Sequence, residues 1–198
     1  MVYASEQKRS DVKQKREKWK AEMPLMDGKR LIFLDESGIN INMIRRYGRS
    51  VGKHRVVDHA PLSTPSTTTI VSSIRLNGRT VTRAFSGSMT GDRFKEYLKN
   101  DLVPTLHPGD MVIMDNLRSH KVPGVGELIK SAGAILVYLP PYSPDFNPAE
   151  PMWSKVKTWY KKHRFSTPAE LLAAVPRAFD SVSLSDCLGW FSHCGYCL

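Results

Sequence analysis

Three short apolar runs limit what this chain can become: LIFL at 31–34, MVIM at 111–114 and AILVYL at 134–139. None is interrupted by a polar residue, so none shows the alternation of a half-exposed strand. Runs of this length read as central strands covered on both faces. The first two run straight into acids, Asp35-Glu36 and Asp115-Asn116, and the third leads through a proline-rich loop to Glu150. In open α/β sheets, ligands gather beyond the carboxyl ends of the strands. If the first two strands are neighbours, Asp35 and Asp115 stand side by side.

The segments between these runs have patterns of their own. TTTIVSSIRL (67–76) and RTVTRAF (79–85) read as two strands joined at Asn77-Gly78, a dipeptide that favours a tight hairpin. A helix is predicted from Thr90 to about Leu102 and a shorter one over 125–131. The last third reads as helices near 150–163, 168–180 and 185–192, with Thr167-Pro168 as a cap followed by a first-turn proline. The order implies one α/β domain over 30–198, a mixed central sheet with a hairpin at one side and flanking helices. Residues 1–29, with KQKREKWK at their centre, read as a basic arm, either a solvated helix or a loose segment touching DNA backbone.

Charge adds a second constraint. The chain carries 29 Lys+Arg against 19 Asp+Glu, a formal charge of +10, which points to a polyanionic partner, nucleic acid first. Yet residues 101–150 hold six acids and three bases. An acidic cluster repels a phosphate ligand unless the carboxylates hold cations. No apolar run approaches the roughly 20 residues of a membrane helix, and no secretory signal opens the chain, so a cytoplasmic location without membrane contact is expected. Three cysteines, Cys187, Cys194 and Cys197, exclude a disulfide scaffold. With His193 they admit a small zinc site, but two well-spaced ligand pairs are lacking, and packing is the preferred reading.

Each acid taken alone has a structural alternative. Asp35 or Asp115 can cap the turn after its strand, and Glu150, three residues after Asn147, can complete a capping box. Pro151 disfavours helical geometry in the residue before it, so the helix is expected to begin at Pro151 with Glu150 flanking it. Three converging carboxylates are a different matter. Two unit charges about 4 Å apart repel by roughly 4 kcal/mol at an effective dielectric of 20. Oxygen-only ligation favours Mg²⁺ or Mn²⁺, and two such ions suit the breaking or joining of a phosphodiester.

LIFLDESGININ, VIMDNLRSHK and LPPYSPDFNPAEPMWSKVK resemble the three acidic motifs of a DDE transposase, closest to the bacterial insertion-sequence branch of the mariner superfamily. Asp115 and Glu150 are 35 positions apart, similar to the spacing in that branch. The resemblance extends through RRYGRSVGKHRV and WFSHCGYC. It implies a ribonuclease H-like fold, with Asp35, Asp115 and Glu150 holding two Mg²⁺ (or Mn²⁺) ions. It implies strand cleavage at transposon ends and transfer of the freed 3′-hydroxyl into target DNA at a TA-containing site, by a homodimer on DNA in the bacterial nucleoid. Full-length relatives carry a helix-turn-helix region ahead of the catalytic domain, and only about 30 residues precede the first acid here, so the chain reads as the catalytic half. Clustered acids also occur in other ribonuclease H-like nucleases such as junction resolvases, and a non-catalytic DNA-binding remnant is the third reading. The YSPDFNPAE segment favours the transposase.

Residues around the acids complete the expectation. Glu36, Asn116 and His120 are placed as supports of the acids, with His120 also in reach of a metal-bound water. Arg45, Arg46, Arg49, Lys53 and Arg55 form a basic stretch for DNA, and Arg118, Lys121, Lys157 and Lys161 are phosphate contacts near the acids. Met152, Trp153, Val156, Trp159 and Tyr160 share a helix face that reads as core.

Overall fold

A computed structural model describes residues 5–45, 47–52, 54–57, 59 and 67–198. A helix, α1 (Ser10–Glu22), leads into β1 (Leu31–Ile39), and the hairpin β2 (Thr68–Arg75) and β3 (Thr80–Ser86) follows. Next come α2 (Gly91–Tyr97), β4 (Met111–Met114), α3 (Val125–Ser131) and β5 (Ile135–Tyr138). Four helices close the chain: α4 (Ala149–Lys162), α5 (Pro168–Ala173), α6 (Val175–Phe179) and α7 (Leu184–His193). The sheet order is β3-β2-β1-β4-β5. β1, β4 and β5 are parallel, while β2 and β3 are antiparallel to their neighbours. This is the mixed sheet with a lateral hairpin that the patterning predicts. Among the described residues no helix is long and apolar enough to cross a membrane.

Alternation along β1 sorts the two cores. Leu31, Phe33 and Ile39 face α4, α6 and α7, where Met152, Trp153, Val156, Ala178 and Phe191 are buried. Ile32 and Leu34 face the other layer, with Phe94, Tyr97, Leu98, Val125 and Ile129. The same alternation sends Asp35 to the α4 side and Glu36 to the α2 side.

Four details depart from the sequence reading. β1 runs to Ile39, so Asp35 lies within a strand rather than beyond one; its parallel pairing with β4 ends at Leu34↔Met114, and the acid follows that last pair. β5 is an edge strand, with Ile135 52% exposed, because the hairpin occupies the other side of the sheet and nothing pairs beyond β5 among the described residues. The helix expected over 168–180 is two helices, α5 and α6, with Pro176 in the first turn of the second, where a missing N–H costs nothing. α2 continues through a π-helical turn over Leu98–Leu102.

The N-terminal segment is tied to the domain. Trp19 is 6% exposed and donates from Nε1 to Tyr196 Oη at 3.1 Å. Arg16 reaches Ser143 and Asp145 in the loop before α4. Most of the remaining α1 surface is exposed, as its charge requires.

Candidate active site

The parallel pair β1–β4 sets the geometry. Because Leu34 and Met114 are register partners, the next residues, Asp35 within β1 and Asp115 just after β4, stand at the same level. The proline-rich loop after β5 then carries the chain back across this end to α4. Asp35, Asp115 and Glu150 line one cavity of about 420 Å³, together with Asn116, Tyr142, Ser143 and Asn147.

Asp35 is 8% exposed and held on both oxygens. Oδ1 accepts from the Glu36 N–H at 2.8 Å, and Oδ2 accepts from Asn147 Nδ2 at 3.0 Å. Burial first, then the charge of Glu150, pushes its carboxyl up to about 7, with Asp115 and Glu36 adding to the rise. The acids therefore feel one another through low-dielectric space.

Asp115 behaves in the opposite way. Burial alone raises its pKa, but the His120 hydrogen bond, the Leu117 N–H and the charges of His120 and Lys121 outweigh it and hold the carboxyl below its ordinary value. Oδ1 lies 3.0 Å from Leu117 N and 2.8 Å from His120 Nδ1.

Glu150 sits in the first turn of α4, which begins at Ala149 and not at Pro151. Pro148 stands at the N-cap and Pro151 in the first turn, where N–H groups have no intrahelical partner. The capping box, one alternative for Glu150, is not formed among the described residues. Instead Asn147 Oδ1 accepts from Ala149 N at 3.1 Å while its amide holds Asp35. Partial burial raises the Glu150 pKa, Lys157 opposes that rise and Asp115 adds to it.

Asn147 is thus a site residue that sequence reasoning assigned only to capping. Its signal was its place three residues before Glu150. Its bond to Asp35, 112 positions away, is a tertiary fact.

The other expected residues divide. Asn116 lines the cavity, donates to Leu139 O at 2.6 Å and accepts from Lys121 Nζ at 2.8 Å. His120 is fully buried beside Asp115 and is not among the residues that line the cavity. Glu36 lies with it on the α2 side, 3.0 Å from His120 Nε2. Arg118 is exposed on the same loop. Lys157 acts on Glu150. Arg45 and Lys161 line a second cavity with Asn40, Met43 and Tyr47. Arg49 and Arg55 are exposed and do not border the acids. Arg46 and Lys53 lie outside the described residues. Cys187 and Cys194 are free thiols buried in the core, and Cys197 is exposed.

Residues 30–172 match the family model for the DDE superfamily endonuclease. The chain belongs to that family. The DDE domain also shares its fold with solved structures of Mos1 mariner transposase. The paired-end complex with Mg superposes with a TM-score of 0.77 at 15% identity, covering 98% of this chain and 63% of that one. A paired-end complex with the left transposon end gives 0.72 at 13%, covering 99% and 66%. The Mos1 catalytic domain gives 0.66 at 13%, covering 97% and 91%. The DDE domain therefore has the ribonuclease H-like fold. It spans less than two thirds of the transposase chains in those paired-end complexes. No curated protein matches it in sequence.

The cavity offers oxygen donors: three carboxylates, the amides of Asn116 and Asn147, and the hydroxyls of Tyr142 and Ser143. Among the described residues no group of three or more His, Cys, Asp or Glu side chains stands ready as a metal cage. Mg²⁺ is ordinarily held through one or two carboxylates, with waters and substrate phosphates completing its shell. An open cleft of carboxylates and other oxygen donors fits Mg²⁺ or Mn²⁺ and does not fit a closed structural zinc site.

Proposed function

We propose that this chain is a transposase catalytic domain of the bacterial insertion-sequence branch of the mariner superfamily. Asp35, Asp115 and Glu150 hold two divalent ions, Mg²⁺ or Mn²⁺. The reaction is strand cleavage at transposon ends followed by attack of the freed 3′-hydroxyl on target DNA at a TA-containing site. One observation carries this reading: in a DDE family chain, the acids from β1, β4 and α4 share one cavity, and their charges act on one another.

Ions bound there supply charge for the attacking and leaving oxygens of an in-line displacement. The chain's own residues supply position. The Glu36 N–H and Asn147 fix the Asp35 carboxylate, and the Leu117 N–H fixes Asp115. The rigid strand pair keeps the two acids level, which is the preorganisation such chemistry needs. The charge of Lys157 acts on Glu150, and Arg118 and Lys121 lie in the turn after Asp115, which supports reading them as contacts to phosphates of the DNA backbone. Arg45, Arg49, Arg55 and Lys161 are read as further DNA contacts, and a net charge of +10 favours the same partner. Two transposon ends call for two copies of the domain on DNA. The domain is read as 30–198, with 1–29 a basic N-terminal arm, acting in the bacterial cytoplasm.

Crystals soaked in Mn²⁺ test the reading. Anomalous peaks are expected among Asp35, Asp115 and Glu150, with oxygens at about 2.0–2.3 Å, alongside Mn²⁺-dependent nicking of supercoiled DNA that Asp115→Asn abolishes. Empty density among intact carboxylates overturns it.

A further inference from the structure

Asp115 has a buried support on the face of the sheet away from the cavity. His120 is wholly buried, its ring 4.4 Å from the Phe94 ring by centroids. Tyr138 Oη donates to the His120 carbonyl at 2.9 Å, which pins the backbone of the short turn over Arg118–Lys121. The two ring nitrogens face different carboxylates: Nδ1 lies 2.8 Å from Asp115 Oδ1, and Nε2 lies 3.0 Å from Glu36 Oε1. The Glu36 side chain is itself only 7% exposed. Among the described residues neither Glu36 Oε1 nor His120 Nε2 makes a hydrogen bond, so the 3.0 Å approach of these two buried atoms is an ion-pair contact. Among the described residues, every side-chain contact of Asp115 falls on Oδ1, while the residue as a whole borders the cavity. A carboxylate anchored through one oxygen presents the other in a set direction.

We propose that Glu36 and His120 are positioning residues for Asp115: Glu36 orients the imidazole, and the imidazole fixes the Asp115 carboxylate so that Oδ2 meets a divalent ion. This rests on the reading of Asp115 as a metal ligand. The arrangement follows the general pattern in which a metal-ligating carboxylate is itself held by hydrogen-bonding partners, and losing such partners costs roughly 10–100-fold in metal affinity or activity. Adjacent residues of β1 then serve one site from opposite faces of the sheet. Asp35 reaches the cavity directly, and Glu36 reaches it through His120.

The test is Mn²⁺ affinity of the whole chain, read by electron paramagnetic resonance, for the native protein, Glu36→Gln, His120→Gln, the double variant and Asp115→Asn. Thermal melts of each accompany the titrations. A loss of roughly tenfold or more in Mn²⁺ affinity is expected for each single variant. The double variant is expected to lose no more than His120→Gln alone, because Glu36 acts only through the imidazole. General loosening of the fold gives additive losses instead, and additivity overturns the proposal. So does unchanged affinity in Glu36→Gln and His120→Gln while Asp115→Asn loses the ion. If His120→Gln does not fold, Glu36→Gln, which keeps the side-chain shape, decides alone by its affinity. If the native protein binds no Mn²⁺ beyond the Asp115→Asn background, the metal-site reading fails and this proposal with it, an outcome distinct from selective failure of the pair.

Discussion

Arg16 in α1 forks onto Asp145, 129 positions later in the loop that delivers Glu150: Nη1 lies 2.9 Å from Oδ1 and Nη2 lies 2.6 Å from Oδ2. The same guanidinium donates to Ser143 Oγ at 2.7 Å and lies over the Phe146 ring at 4.4 Å. The N-terminal helix thus braces the third acidic motif. The Arg16 side chain is 12% exposed and that of Asp145 39%, so solvent screens the pair only in part. Arg16→Ala is expected to cost about 1.5–3 kcal/mol, the range for hydrogen bonds to charged groups. Arg16→Lys should recover only a minor part, since an ammonium cannot reproduce the fork. Urea unfolding midpoints measure both.

Trp19 fills the other anchor of α1. Its indole donates to Tyr196 Oη, which in turn donates to the Phe146 carbonyl at 2.8 Å. Trp19→Ala should destabilise by about 3–5 kcal/mol, the range for deleting a buried aromatic. Trp19→Phe should cost less, retaining most of the volume but losing the N–H. Differential scanning calorimetry separates the two.

Asn147 joins α4 to Asp35 by one amide. Asn147→Ala removes a bond to the first turn of the helix, a loss of about 1 kcal/mol by analogy with caps, and frees the Asp35 carboxylate. Asn147→Asp keeps the acceptor for Ala149 but sets a fourth carboxylate against Asp35. Its melting temperature should fall below that of Asn147→Ala in EDTA, and MnCl₂ should narrow the gap. The reverse order in EDTA contradicts the electrostatic account.

The buried Asp35 carboxylate opposes folding when no cation is present, since burial and neighbouring acids both disfavour its charge. Asp35→Asn is expected to melt higher than the native chain in EDTA at neutral pH. MnCl₂ should raise the native midpoint and leave that of the variant in place, because a ligand stabilises only the state that binds it.

At the far end of the chain, Asp186 completes a capping box with Ser183 on α7 and pairs with Lys155. The Lys155 hydrogen bond, then those of Ser183, hold its pKa down to about 2 from 3.8. A depressed folded value means the contribution is full above 3.8 and disappears as pH falls through about 2. The stability difference between native chain and Asp186→Asn should therefore shrink over that window in acid titrations followed by circular dichroism. A difference that grows on acidification contradicts this.

What the amino-acid sequence by itself determined was local. Period and composition were enough for β4, the Asn77-Gly78 hairpin, the Thr167 cap and the bounds of α3, because each depends on neighbours a few residues apart. The three acids stood out for the same reason, each directly after an apolar run or in a proline-bounded loop.

Only the tertiary structure decided the rest. That AILVYL forms an edge rather than a centre depends on which side of the sheet the hairpin occupies, and burial alone cannot encode that. Whether Glu150 flanks α4 or opens it depends on Asn147, whose side chain is recruited by Asp35 on another strand. His120 turned from the cavity to Glu36 because strand alternation put Glu36 on the α2 face, beside the Phe94 ring. A basic N-terminal segment became a brace because Arg16 and Trp19 found partners more than 120 residues away. Contacts across such separations are set by packing of whole layers, and a linear pattern carries no record of them.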